Sequence, residues 1–280
     1  MDNGKMKYVL ANGTGPMSDK FSRNFRHFLW MDKVIYMIDD IAAHKPGHFE
    51  WLWHYNGKAV KRGADVTVTS DSASVVIRPL YPRLLALSDF VHDYPDLKGE
   101  EEYYSFHLPG EHKRVKGLTA VILKDSPDDK DLPMMERTEG KDWIGLKVRR
   151  NGKVTDIYIN QLADGRLMHN NSWITADGWT TDAYMFAVTY DEGTDPAKAS
   201  EMFVCYGSAL RRGEVSYYSS LSKLFVMQRR EGKKLDLRVE GQPHIRAAFR
   251  QPSCPAELEV NGQRQKAVYE NGNVILKSKL

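Results

Sequence analysis

Phe25-Arg26-His27-Phe28-Leu29-Trp30, a break at Met31-Asp32-Lys33, and then Val34-Ile35-Tyr36-Met37-Ile38 read as two strands joined by a tight turn. Residues two apart on a strand share a face, and a short run that is apolar at almost every position suits a strand covered on both faces. The segment predicts a β-hairpin whose second arm is nearly buried. After Lys45-Pro46-Gly47 comes Phe49-Glu50-Trp51-Leu52-Trp53-His54-Tyr55, whose period of two places four aromatics on one strand face and Glu50, Leu52 and His54 on the other. It ends at Asn56-Gly57, a pair suited to the positive φ angles of a tight turn.

The same pattern runs outward along the chain. Residues 65–69 face 73–78, residues 144–148 face 154–159 across Asn151-Gly152, and residues 224–229 turn at Glu231-Gly232 into 235–239. Asn261-Gly262 and Asn271-Gly272 mark two further turns near the end. No apolar stripe of helical period extends beyond about three turns. The predicted fold class is all-β: a large antiparallel β-sandwich, of supersandwich size, with few helices. Two stretches read as irregular: 88–112, which holds Pro95, Pro109 and Glu100-Glu101-Glu102, and 125–142, dense in Asp, Pro and Met. A boundary at Gly241-Gln242-Pro243 would separate a β-sandwich domain, 1–240, from a small C-terminal β-hairpin layer, 241–280.

Composition narrows the function classes. The chain has 280 residues, 41% hydrophobic and 28% charged, an ordinary globular balance. A net charge of +3, with Lys and Arg dispersed among Asp and Glu, gives no electrostatic footprint for nucleic acid. No apolar run approaches the roughly 18 residues of a membrane-spanning helix, and Met1-Asp2-Asn3-Gly4-Lys5 does not open a signal peptide. Neither nucleic acid nor membrane is expected as a partner. Cys205 and Cys254 make no disulfide framework, although one pairing stays open.

Residues with chemical potential cluster around the aromatic strand. His54, flanked by Trp51, Trp53 and Tyr55, would stand at the edge of a sugar-binding groove, its imidazole serving as base, donor or metal ligand. The plainer reading, which is favoured, is a histidine bonded to backbone at a strand end while the aromatics fill the core. Asp39-Asp40 with His44, His48 and His54 would make a metal cluster, against the commoner Asx turn at a strand exit. His107 and His112 read as surface loop residues, Met134-Met135 as loop packing and the acid run at Glu100 as a solvated face. Cys205 reads as an inert core thiol, and Asn12-Gly13-Thr14-Gly15-Pro16 lacks the lysine and the strand-to-helix setting of a phosphate loop.

Residues 22–40, SRNFRHFLWMDKVIYMIDD, followed by His48-Phe49-Glu50-Trp51-Leu52-Trp53-His54, resemble the C-terminal β region of heparinase II/III-like polysaccharide lyases. There an arginine-led strand, a turn, an apolar strand ending in Asp and an aromatic strand ending in His follow one another. Asp177-Gly178-Trp179-Thr180-Thr181-Asp182-Ala183 resembles a later strand entry in the same domains. The resemblance implies a β-sandwich packed beside an N-terminal α/α toroid, in a secreted or periplasmic bacterial enzyme that cleaves uronic-acid polysaccharides by β-elimination. Such chemistry needs one group to neutralise the uronate carboxylate and another, Tyr or His, to move the proton.

In that family the toroid supplies most of these groups, and a histidine-rich segment opening the β region supplies another histidine and the ligands of a divalent metal such as zinc. This sequence shows neither, so no catalytic residue and no metal ligand is carried over; His54 alone occupies a family-like position. The reading is the β domain of such a lyase, inactive or nearly so without its toroid partner. The alternatives are a residual elimination site around His54 and Tyr55, and a noncatalytic carbohydrate-binding module stacking sugars on Trp51, Trp53, Trp173 or Trp179. A further one is a structural sandwich whose bare face drives self-association.

Overall fold

The computed structural model describes residues 1–71, 73–83, 85–93, 100–164, 172–241 and 244–279. Its contacts divide into two compact units, Gly4–Leu132, and Pro133–Leu280 together with Met1–Asn3. The first unit holds β1 (Met6–Asn12), β2 (Phe21–Met31), β3 (Val34–His54) and β4 (Lys58–Arg62). It continues with β5 (Asp65–Ser70), β6 (Ala73–Tyr81), β7 (Ala86–Asp93) and β8 (Glu100–Lys124). They form an 8-stranded sheet in the order β1-β2-β3-β8-β6-β5-β4, with β7 on β8.

The second unit contains β9 (Met134–Glu139), β10 (Trp143–Arg150), β11 (Lys153–Asn160), β12 (Ile174–Ala176), β13 (Trp179–Thr181) and β14 (Met185–Asp191). After a short 3-10 turn, Pro196–Lys198, come β15 (Glu201–Arg212), β16 (Val215–Glu231), β17 (Lys234–Glu240) and β18 (His244–Arg250). The last strands are β19 (Glu257–Val260), β20 (Gln263–Gln265), β21 (Tyr269–Glu270) and β22 (Asn273–Lys279). All fourteen belong to one sheet. The all-β, sandwich-like class follows the hairpin grammar, with one parallel pair, β17 on β19.

Local turn chemistry explains the hairpins. Asn151-Gly152, Asp177-Gly178, Asn261-Gly262 and Asn271-Gly272 all carry positive φ at both residues, the conformation of the two-residue turn that matches strand twist. They close β10–β11, β12–β13, β19–β20 and β21–β22. Asn56-Gly57 behaves differently. It ends β3, but β4 turns away to β5, and β3, paired with β2 on one side, pairs on the other with β8, from Val34↔Ile122 to His54↔Tyr103.

Two expectations of irregular structure are corrected. Residues 88–112 are largely strand: β7 and β8 pair there, and Tyr104, Phe106 and Leu108 alternate into the core. Pro109 falls where the β3–β8 register is irregular, between Gly47↔His112 and Phe49↔Leu108, so its missing N–H breaks no ladder bond. Residues 94–99 lie outside the described residues. Part of 125–142 is also strand, since β9 pairs with β10. The contacts divide at Leu132, away from the boundary suggested at Gly241. Beyond that glycine, β18 pairs with β16 and β19 with β17, inside the second unit.

The second unit is centred on Trp143, Tyr158, Trp179, Phe186, Tyr218 and Phe249, all buried. Cys205 is buried and Cys254 exposed, and neither is in a disulfide. Among the described residues no helix is long and apolar enough to cross a membrane.

Candidate functional site

The candidate site lies in the first unit and depends on a bend. Asp39 and Trp51 belong to the same strand twelve residues apart, which on a straight strand would separate them by roughly 40 Å. Yet Trp51 Nε1 donates to Asp39 Oδ2 at 2.8 Å. β3 therefore turns back on itself, and it does so at His44–Gly47, where the ladder to β8 loses regular register and Pro46 interrupts the run. Gly117 lies opposite Asp39 and leaves the room that the indole takes. A Cβ there would come within 3.1 Å of Trp51 Cζ2.

The bend encloses an open cleft of about 460 Å³ between β2 and the two halves of β3. Its apolar walls are Phe21, Ile41, Phe49 and Trp51; its polar groups are Asn24, Arg26, Asp39, His48 and Glu50. The hairpin register sets Arg26 directly across from Asp39. Arg26 Nε donates to Asp39 Oδ1 at 2.6 Å and Nη2 to Oδ2 at 3.1 Å, a bidentate fork that leaves the remaining guanidinium N–H groups free to meet a ligand. Asp39 thus accepts from two side chains at once and locks both. The pair is charge-balanced, which suits it to hydroxyl groups more than to an anion.

His48 is exposed on the cleft rim, and its Nδ1 bonds the Gly110 carbonyl at 3.0 Å. A carbonyl only accepts, so in the neutral ring Nδ1 carries the hydrogen and Nε2 keeps its lone pair. Glu50 is exposed beside it, on the strand face that the alternation predicted.

Of the four residues singled out for sugar contact, the structure places Trp51 in this cleft and the other three elsewhere. Trp53 is half-buried, edge-on to Phe106. His54 is exposed with its ring 5.1 Å from that of Tyr103. Tyr55 stacks on Tyr104 and donates to Glu102 Oε2 at 2.9 Å. Trp51 and Trp179 are buried, and Trp173 is half exposed with Arg211 above its ring.

Asp39 and Asp40 form no Asx turn, a further correction of the sequence reading. They sit within β3 on opposite faces, tolerated there because each is ion-paired. Asp40 is fully buried, with Arg23 Nε at 2.8 Å and Lys116 Nζ at 3.7 Å. His44 and His112 bond the Ser18 and Pro109 carbonyls, and His107 lies within β8. Among the described residues, no three of His, Cys, Asp or Glu come together to hold a metal ion, so the residues do not fit the zinc that the resemblance implied. Asn12 turns the chain by accepting from Thr14 N, and Gly13 contributes to the cleft wall.

Arg26 is the site residue that the sequence argument passed over. The signal was present: a two-residue loop at Asp32-Lys33 fixes the whole β2–β3 register, and that register brings Arg26 to Asp39.

No family model matches the chain, and no curated protein matches it. Among solved structures it is similar to a mutant of the heparan sulfate lyase HepC from Pedobacter heparinus, with a TM-score of 0.45 and 15% identity over 57% of this chain. The match spans 27% of the length of that lyase.

Proposed function

We propose that the chain is a saccharide-binding β module, of the kind that forms the β region of a heparinase II/III-like polysaccharide lyase, and that it holds polysaccharide without cleaving it alone. The observation that carries this reading is the first-unit cleft, in which a locked Arg26 fork, Asn24, Glu50 and the unbonded Nε2 of His48 converge between aromatic walls. Apolar walls with a few fixed polar groups are the equipment of a sugar subsite. A uronic-acid polymer as ligand, an α/α toroid as partner and a periplasmic or secreted setting belong to the proposal through the likeness of residues 22–54.

Affinity electrophoresis through gels containing alginate or heparan sulfate tests it. Retardation is expected, together with no ultraviolet absorbance from new unsaturated uronate. The His48→Ala, Asn24→Ala double variant removes two rim hydrogen bonds without touching the Arg26–Asp39 pair, and should weaken binding about five- to tenfold. Migration unaffected by either polymer would overturn the reading.

A further inference from the structure

The second unit contains a larger cleft, about 610 Å³, that the sequence argument did not anticipate. Three cationic side chains line it, Lys198, Arg230 and Arg250, and among the described residues no carboxylate does. Its aromatic surfaces are Trp179, Tyr217 and Tyr269.

The origin of this arrangement is the pairing of β16 with β18. Tyr218 faces Phe249, and the same antiparallel register carries Tyr217 beside Arg250, the two on the opposite face from that buried pair. Tyr217 is braced edge-on against Trp179, with ring centroids 5.2 Å apart. One side of the cleft thus presents an aromatic ring next to an exposed guanidinium.

The other side is a built frame. Arg230 donates to Gln251 Oε1 at 2.9 Å, to Ser253 Oγ at 2.9 Å and to the Gly232 carbonyl at 3.0 Å, so its guanidinium is fixed in place. Gln251 is fixed in turn: its N–H bonds the Gly272 carbonyl and its own carbonyl accepts from Tyr269 Oη at 3.0 Å. Since Arg230 takes the amide oxygen, the orientation of that side chain is settled. Nε2 of Gln251, in a residue 3% exposed, is left without a partner. Gln228, 7% exposed, likewise lines the cleft with an unpartnered Oε1. Buried amide atoms without partners are uncommon in folded proteins, and two in one cleft mark a place that awaits hydrogen bonds.

We infer that this cleft binds an acidic sugar unit: a pyranose bearing a carboxylate or a sulfate. A donor at Gln251 Nε2 and an acceptor at Gln228 Oε1 together suit neighbouring hydroxyl groups, each of which donates and accepts. The ring face suits Tyr217 and Tyr269, and the anionic substituent suits Arg250 and Lys198, which have no carboxylate among the described residues of the cleft to neutralise them. A neutral sugar would leave the cations unmatched, and a bare inorganic anion would leave the amides and the aromatic faces unused. The inference rests on the saccharide-binding reading and adds a second place where the ligand is held, with the side chains that meet its anionic group.

Isothermal titration of the full chain provides the test. The probes are an oligogalacturonate hexamer, carrying carboxylates alone, a heparin-derived hexasaccharide, carrying carboxylates and sulfates, and a neutral cellohexaose. Binding of either acidic probe, with cellohexaose at least tenfold weaker, is the expected result, and the stronger of the two identifies the anionic group. The Arg250→Gln, Lys198→Gln double variant should lose at least tenfold in affinity for the preferred acidic probe. Gln228→Leu, of similar volume but without the amide, should lose several-fold. Equal binding of cellohexaose, or wild-type affinity in the Arg250, Lys198 variant, would overturn the inference. If binding is lost instead in the His48, Asn24 variant alone, the first-unit cleft is the whole site and the second cleft is not one; loss in neither variant refutes both readings.

Discussion

Cations are placed in opposite ways around the first-unit site and in the second-unit cleft. In the first, Arg23 and Lys116 share the buried carboxylate of Asp40, and Arg26 is forked onto Asp39. In the second-unit cleft, Lys198, Arg230 and Arg250 stand among aromatic rings and amides with no acid lining the space, among the described residues. In the first arrangement every cation has a carboxylate beside it, so its charges serve the fold and present a polar floor without an unmatched cation. The second is unbalanced, and an unbalanced cluster is completed from outside. The same residue type therefore has a structural task in one place and a recognition task in the other, and the position of the carboxylates decides which.

The sharpest way to break this contrast is to remove the charge of Asp40. Asp40→Asn leaves Arg23 and Lys116, each less than a tenth exposed, without the carboxylate charge that they share. Breaking a buried ion pair from one side costs about 3–5 kcal/mol, and urea denaturation of the variant should show a loss of that size. A loss below about 1 kcal/mol would mean that the ladder does not depend on its internal charge balance.

The same face supplies a pH dependence. His27 is buried beside Tyr8 Oη, 2.8 Å from its Nδ1, and burial first and the nearby Lys116 second push its pKa down to about 3. Below its ordinary value of 6.5 the unfolded chain binds a proton that the folded chain refuses, so stability falls as pH drops from 6.5 towards 3. The slope rises from half of about 1.4 kcal/mol per pH unit at pH 6.5 towards that full value, giving a loss of about 1.7 kcal/mol between pH 6.5 and 5. Urea midpoints across that range should show it, and His27→Gln, which has no proton to take up, should flatten the slope. An unchanged slope in the variant would place the acid sensitivity elsewhere.

How much of this was legible in the sequence depends on distance along the chain. Asn151-Gly152, Asn261-Gly262 and Asn271-Gly272 announced their hairpins because a tight turn is a local object whose chemistry lies in two residues. The alternation of residues 49–55 likewise gave the correct buried and exposed faces. The pairing of β3 with β8 did not announce itself, since its arms are separated by β4 to β7 and the ladder is decided by packing. The acid run at Glu100 concealed the start of β8, although Tyr104, Phe106 and Leu108 already carried its period. For the candidate site the legible part was Trp51, Asp39 and His48 as residue types. The bend that brings Trp51 to Asp39 was not, because a reversal within one strand leaves only Pro46 and Gly47 as a trace. Nothing local marked the second-unit cleft, whose walls come from strands joined by β16–β18 and β18–β22 pairing.

The smallest expected effect is on the other side of the contrast. Arg250 is exposed beside the Tyr217 phenol, with no ion pair to it among the described residues. Replacing it by Gln removes no packed side chain and leaves no partner stranded. It also relieves repulsion with Lys198 and Arg230 across the cleft, a weak gain that salt screens. Arg250→Gln should therefore unfold in urea within about 0.5 kcal/mol of the native chain, with any difference a slight stabilisation that vanishes on adding salt. A loss above about 1 kcal/mol would show that the fold itself uses this cation. In that event the charge imbalance of the second cleft would be structural, and the distinction between the two units would fail at the residue on which it most depends.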